Sequence, residues 1–152
     1  MAQGVSGRKR VRPRAHGSLV LDNEGVSRAV TDRVMYARLR AAHLDGRRVV
    51  TSAAILAEIL RGEARDAGIY RVLGGVAVEP VTREIGERAG KLIGMARLSA
   101  EQAVDAMVAA TALEQAGPVL LVTSNVPHLS ALVAEHERVA VVHVDKAGRT
   151  TT

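Results

Sequence analysis

A chain of 152 residues with 47% hydrophobic residues is long enough for one domain that buries about two-thirds of its unfolded surface. It contains no cysteine, which excludes disulfides and zinc–thiolate sites, and its only aromatics are Tyr36 and Tyr70, too few for a base-stacking platform along a single strand. The formal charge of +5 is unevenly placed: Arg8, Lys9, Arg10, Arg12 and Arg14 all precede the first acid, Asp22, and without those five the 21 basic residues fall to 16, equal to the 16 acids.

Residues 1–17 therefore read as a flexible basic arm, either a solvated leader or a segment that holds RNA or DNA phosphates without sequence preference. No apolar run reaches the roughly 20 residues of a membrane span, and the N-terminal charges have no apolar h-region behind them. The expectation is a soluble, cytoplasmic protein without a membrane partner. Gly17 to Leu21 is a short apolar run that suits a strand covered on both faces, with Asp22 at its carboxyl end. Glu24 to Asp32 and Arg33 to His43 read as helices, the second amphipathic and closing near Asp45-Gly46. Arg47 to Thr51 is a second strand. Ser52 is a good N-cap for a helix from Ala53 to Arg61 that stops at Gly62, and Ala64 to Leu73 forms another.

Gly74-Gly75 turns the chain into a third strand, Val76 to Pro80, and Thr82 opens a helix that runs to about Met95. Ser99 caps a helix from Ala100 to Gln115, which ends at Gly117-Pro118. Val119 to Thr123 is a fourth buried strand, Pro127 to Glu135 a helix, Val139 to Val144 a fifth strand, and residues 147–152 a frayed tail. Strands alternating with helices imply right-handed βαβ crossovers, hence a three-layer α/β/α sandwich around a parallel sheet over residues 18–146. Asp-Asn-Glu-Gly follows the first strand where a dinucleotide fold would carry G-x-G-x-x-G, and no Walker phosphate loop is present.

Four positions invite chemistry. Asp22 stands at the strand edge where ligands gather in open α/β sheets, and it could equally serve as a helix N-cap. Glu58 lies in an apolar helix, and a carboxylate buried there calls for a metal ion or for Arg61, the alternative being a salt bridge at the rim. Asp105 is the only charged residue between Glu101 and Glu114, in a helix apolar nearly all round. Thr123, Ser124 and Asn125 follow the fourth strand. If the first and fourth strands are neighbours, these residues converge, and oxygen donors without thiolates suit a hard cation, Mg²⁺ or Mn²⁺. Phosphodiester hydrolysis is the chemistry such clusters serve.

The succession Leu21-Asp22, Ala57-Glu58-Ile59-Leu60-Arg61-Gly62, Val104-Asp105-Ala106-Met107-Val108-Ala109-Ala110 and Val122-Thr123-Ser124-Asn125 resembles the PIN-domain family, most closely the VapC-type toxins of type II toxin–antitoxin systems. The likeness spans roughly residues 18–144. It implies a four- or five-stranded parallel sheet, Mg²⁺- or Mn²⁺-dependent endoribonuclease activity on structured RNA such as tRNA or rRNA, a small antitoxin partner and a homodimer. By the same likeness Asp22, Glu58 and Asp105 match the first three acidic positions and would hold the metal. Asn125, with Thr123 or Ser124, would orient water or the scissile phosphate, and Arg61 with the arm residues would steer the RNA backbone. The fourth acidic position departs from the pattern. Asn125 stands there, His128 follows three residues later, and neither adds a negative charge. The second expectation is accordingly a PIN-shaped protein that binds RNA or a partner without cutting.

Overall fold

Ser18–Leu21 form the central strand, β1, and all four residues are buried. In the computed structural model, which describes residues 17–146, β1 is paired in parallel with β2 (Arg48–Ser52) on one side and β4 (Val119–Thr123) on the other. Both edges are thus taken and helices cover both faces, which is the situation a continuous apolar run is suited to. The basic residues Arg8, Lys9, Arg10, Arg12 and Arg14 and the tail 147–152 lie outside the described residues.

The sheet has the order β3-β2-β1-β4-β5, all strands parallel, with β3 at Ala77–Glu79 and β5 at Val139–His143. This resolves the expected four or five strands to five. The chain steps outward from β1 to β2 and β3 through α1 (Asn23–Thr31), α2 (Arg33–Leu44), α3 (Leu56–Ile59) and α4 (Asp66–Leu73). It then returns through α5 (Arg83–Ala96) and α6 (Ala103–Glu114) to β4, and reaches β5 through α7 (Val126–Leu132). Right-handed crossovers in opposite directions put the two helix sets on opposite faces. The packing agrees: α1 lies against α2 and α4, while α5, α6 and α7 lie against one another. The result is the three-layer α/β/α sandwich. No helix among the described residues is long and apolar enough to cross a membrane.

The core is aliphatic. Leu19, Val20, Leu21, Val50, Leu121 and Val122 of the sheet meet Val26 and Ala29 of α1 below and Val108, Ala109 and Ala112 of α6 above. The chain enters β1 at Gly17, whose φ is +88° and where a Cβ would come within 2.4 Å of the Pro118 carbonyl oxygen, so a side chain is excluded by both conformation and space.

Two expected helices begin or end differently. Residues 53–61 are not one helix: a 3₁₀ turn at Ala53–Ile55 leads into the single turn of α3, and Leu60 is already extended. Ser52 does cap the start, accepting from the Ala54 amide. The end is forced by Asp66, whose buried carboxylate accepts from the amides of Arg61 at 3.0 Å and Gly62 at 2.8 Å and so pulls the chain out of the helical path. Likewise a 3₁₀ turn at Ala100–Gln102, fixed by a reciprocal capping box between Ser99 and Gln102, precedes α6.

Candidate active site

The order β3-β2-β1-β4-β5 reverses direction between β1 and β4, and the carboxyl ends of those two strands bound the crevice where open α/β sheets take ligands. Asp22 is the first residue past β1. Its amide donates to the Val122 carbonyl of β4 at 3.2 Å, and its Oδ1 accepts from the Gly25 amide at 2.9 Å as the N-cap of α1. Cap and site position are therefore the same carboxylate. At 2% exposure, burial pushes the Asp22 carboxyl above its usual range, hydrogen bonds from the Thr123 hydroxyl and the Gly25 amide work against that rise, and the charge of Asp105 adds to it.

Thr123 ends β4, fully buried, and its hydroxyl also accepts from the Asn125 amide at 2.9 Å. One hydroxyl thus ties the Asp22 carboxylate to the turn that carries Asn125. Ser124 is exposed, and its backbone amide faces Asp22 closely enough to favour the ionised carboxylate.

Asp105 projects from the first turn of α6, a helix whose later residues Ala106 and Val108 to Leu113 are all buried. The sequence suggested an interior carboxylate. Placed at the rim, one turn before the helix sinks into the core, its side chain keeps 24% exposure. Partial burial raises its pKa, while hydrogen bonding from Asn125 and the proximity of His128 lower it. The Asn125 amide nitrogen donates to Asp105 Oδ2 at 3.1 Å and lies 2.6 Å from His128 Nδ1.

Glu58 is the correction among the acids: it is exposed on the outer side of α3, not buried in an apolar helix, because the break at Leu60 leaves only one turn of helix over the sheet edge. Its carboxyl is nonetheless held above the usual range, by partial burial first and then by the charges of Asp105 and Asp22. The three acids therefore sense one another. Among the described residues none of the three lies within ion-pair distance of a lysine or arginine. Arg61 does not pair with Glu58. Its guanidinium folds back onto the carbonyls of Ala57, Glu58 and Leu60 at 2.7 to 3.0 Å, satisfying the open end of α3.

Residues 19–125 match the PIN domain family. This chain belongs to the PIN-domain family. A solved structure described as FitAB bound to an IR36 DNA fragment shares the fold, with a TM-score of 0.58 at 18% sequence identity, covering 88% of this chain and 98% of that one. Comparison with the curated proteins gives no match.

In this PIN domain the donor set has oxygens of the kind a hard cation takes: carboxylates from three elements that sense one another's charge, with no lysine or arginine paired to them among the described residues. As the side chains stand, no group of three or more acidic or histidine residues among those described closes on one point. The exposed Glu58 is the member with room to move, and Asp22, capped and hydrogen-bonded, is the fixed one. The residue that sequence reasoning missed is Asp66. It is 5% exposed, and despite that burial the amides of Arg61, Gly62 and Glu63 hold its carboxyl below the usual range. It shapes the loop that follows Glu58. Its only signal in the sequence is an acid four residues after a glycine that ends a helix, which is too common to single out.

Proposed function

We propose that this PIN domain is a divalent-metal-dependent endoribonuclease, the toxin of a VapC-like toxin–antitoxin pair, acting on structured RNA such as tRNA or rRNA. PIN domains are generally nucleases and typically use divalent ions, which sets the reaction class. The observation that supports the reading is that Asp22 and Asp105 flank the strand-order reversal with Glu58 near enough to feel both charges, all three with raised pKa values and, among the described residues, no lysine or arginine within ion-pair distance. Uncompensated carboxylates cost stability, and a site that keeps three of them together is suited to a cation.

Asp22, Glu58 and Asp105 would hold Mg²⁺ or Mn²⁺. A bound divalent ion supplies charge neutralisation for a phosphodiester and a water of lowered pKa. Asp22 keeps its orientation through Gly25 and Thr123, so it binds without rearranging. Asn125 holds the Asp105 carboxylate in place, and with Thr123 and Ser124 it orients water or the scissile phosphate. Arg61 presents an exposed charge beside Glu58, and the basic arm adds phosphate affinity that falls with salt. A small antitoxin and a homodimer belong to the same reading. The FitAB structure is described as bound to DNA; the substrate proposed here is RNA.

The test is incubation of the purified protein with total tRNA and rRNA in Mn²⁺, in Mg²⁺ and with chelator, beside Asp105→Asn. Discrete products that need metal and vanish in the variant establish the nuclease. A folded, antitoxin-free protein that cuts nothing points instead to an RNA- or partner-binding role, favoured by the neutral Asn125 at the fourth position.

A further inference from the structure

His128 belongs to the first turns of α7, where its ring edge meets the site: Nδ1 lies 2.6 Å from the Asn125 amide nitrogen and 3.9 Å from Asp105 Oδ2. Which way the Asn125 amide faces follows from chemistry. An ionised Asp105 offers only acceptors, so the Asn125 atom 3.1 Å from it is the nitrogen and not the carbonyl oxygen. That nitrogen has two protons. One goes to Asp105 Oδ2, and the other suits the neutral tautomer of His128, in which Nδ1 accepts. The ring proton sits on Nε2. Among the described residues Nε2 has no hydrogen-bond partner, and the side chain is 40% exposed.

The relay from Asp105 through Asn125 to His128 therefore fixes an imidazole at the rim of the acidic crevice with its N–H outward. We infer that His128 is a substrate contact: its Nε2–H donates to a phosphate oxygen of the RNA backbone, next to the phosphate held at the carboxylates. Asp22, Glu58 and Asp105 offer only acceptors to an anionic strand, and beside Asp105 this N–H is a donor with no protein partner among the described residues, whereas the Arg61 guanidinium is already bonded to the carbonyls of Ala57, Glu58 and Leu60. The same geometry argues against metal ligation through Nδ1, whose lone pair is engaged by Asn125.

This inference rests on the nuclease reading, and its test separates the two. Glu58→Gln silences turnover and serves as the parent. Binding of fluorescein-labelled total tRNA is followed by anisotropy in Mn²⁺, and Mn²⁺ affinity alone is followed by electron paramagnetic resonance. Adding His128→Ala should weaken tRNA binding about tenfold, the loss of one hydrogen bond to a charged group, with Mn²⁺ affinity unchanged. His128→Gln, whose side-chain amide places an N–H near the Nε2 position, should recover most of the loss. His128→Asn, which reaches only as far as Nδ1, should behave like alanine. Unchanged tRNA affinity in the alanine variant overturns the inference, as does a fall in Mn²⁺ affinity, which would make His128 a metal ligand. A glutamine variant no better than alanine overturns it too. A parent that binds no tRNA removes the nuclease reading and this contact with it.

Discussion

Replacing Asp22 by asparagine and by alanine separates the two jobs of one carboxylate. Asparagine is as good an N-cap as aspartate, so its oxygen can keep the 2.9 Å bond from the Gly25 amide. The Thr123 hydroxyl, which accepts one bond from Asn125, has a second lone pair for the new amide. The buried Thr123 hydroxyl proton, which had pointed at the carboxylate, then loses its acceptor, a cost of about 1 kcal/mol. Against that stands the removal of a negative charge at 2% exposure that burial and the Asp105 charge both disfavour. The two nearly offset, and Asp22→Asn should fall within about 1 kcal/mol of the parent. Asp22→Ala drops the cap as well and should lie about 1 kcal/mol below the asparagine variant, roughly 3 °C in Tm for a domain of this size. Because the folded-state pKa of Asp22 is raised, the native chain binds that proton more tightly than the unfolded chain. The parent therefore loses stability as pH rises from the ordinary carboxylate range through the raised value, and Asp22→Asn gains on it across that window. Thermal unfolding by far-UV circular dichroism is the assay, since the chain has no tryptophan. An asparagine variant as unstable as alanine at neutral pH would refute the claim that the buried charge is a burden.

Metal binding should release protons in mildly acidic solution, because Asp22, Glu58 and Asp105 all have raised pKa values and must ionise to ligate. Calorimetric titration with Mn²⁺ should show affinity falling on acidification from above the usual carboxylate range, and pH-independent affinity there contradicts the assignment. Asn125→Asp puts a fourth carboxylate where an amide now donates to Asp105 at 3.1 Å, so Mn²⁺ should bind about tenfold tighter while the metal-free protein loses stability. Unchanged Mn²⁺ affinity would place Asn125 outside the metal's reach. Asp66→Ala frees the amides of Arg61 and Gly62 and should speed their hydrogen exchange and slow cleavage several-fold without altering Asp22 or Asp105. Exchange at the parental rate would show that the loop after Glu58 does not depend on Asp66.

What could be read from the sequence was what local pattern controls. β1 and β4 are uninterrupted apolar runs, so their ends, and with them Asp22 and Thr123, were placed without coordinates. Asp105 stood out because nothing else in its helix is charged, although only the fold shows that it sits at the rim. Glu58 reads from the sequence as buried and is exposed in the structure. Its helix has a good N-cap and apolar neighbours, and the force that ends it early is a hydrogen bond from Arg61 and Gly62 to Asp66, a tertiary choice no propensity reports. The relay through Asn125 to His128 was equally hidden. It depends on α6 and α7 meeting over the end of β4, which brings together side chains twenty and three positions apart.

The pairing of β1 with β4 has a consequence in the order of synthesis. Asp22 and Val122 are joined by one hydrogen bond across a hundred positions of chain, and Thr123 reaches Asp22 only when that bond forms. A growing chain that has not yet made β4 possesses every acid of the crevice but no crevice. The strand that completes the middle of the sheet is thus also the one that brings Thr123 and Asn125 to Asp22 and Asp105, so the pairing of β1 with β4 and the assembly of the crevice are one event.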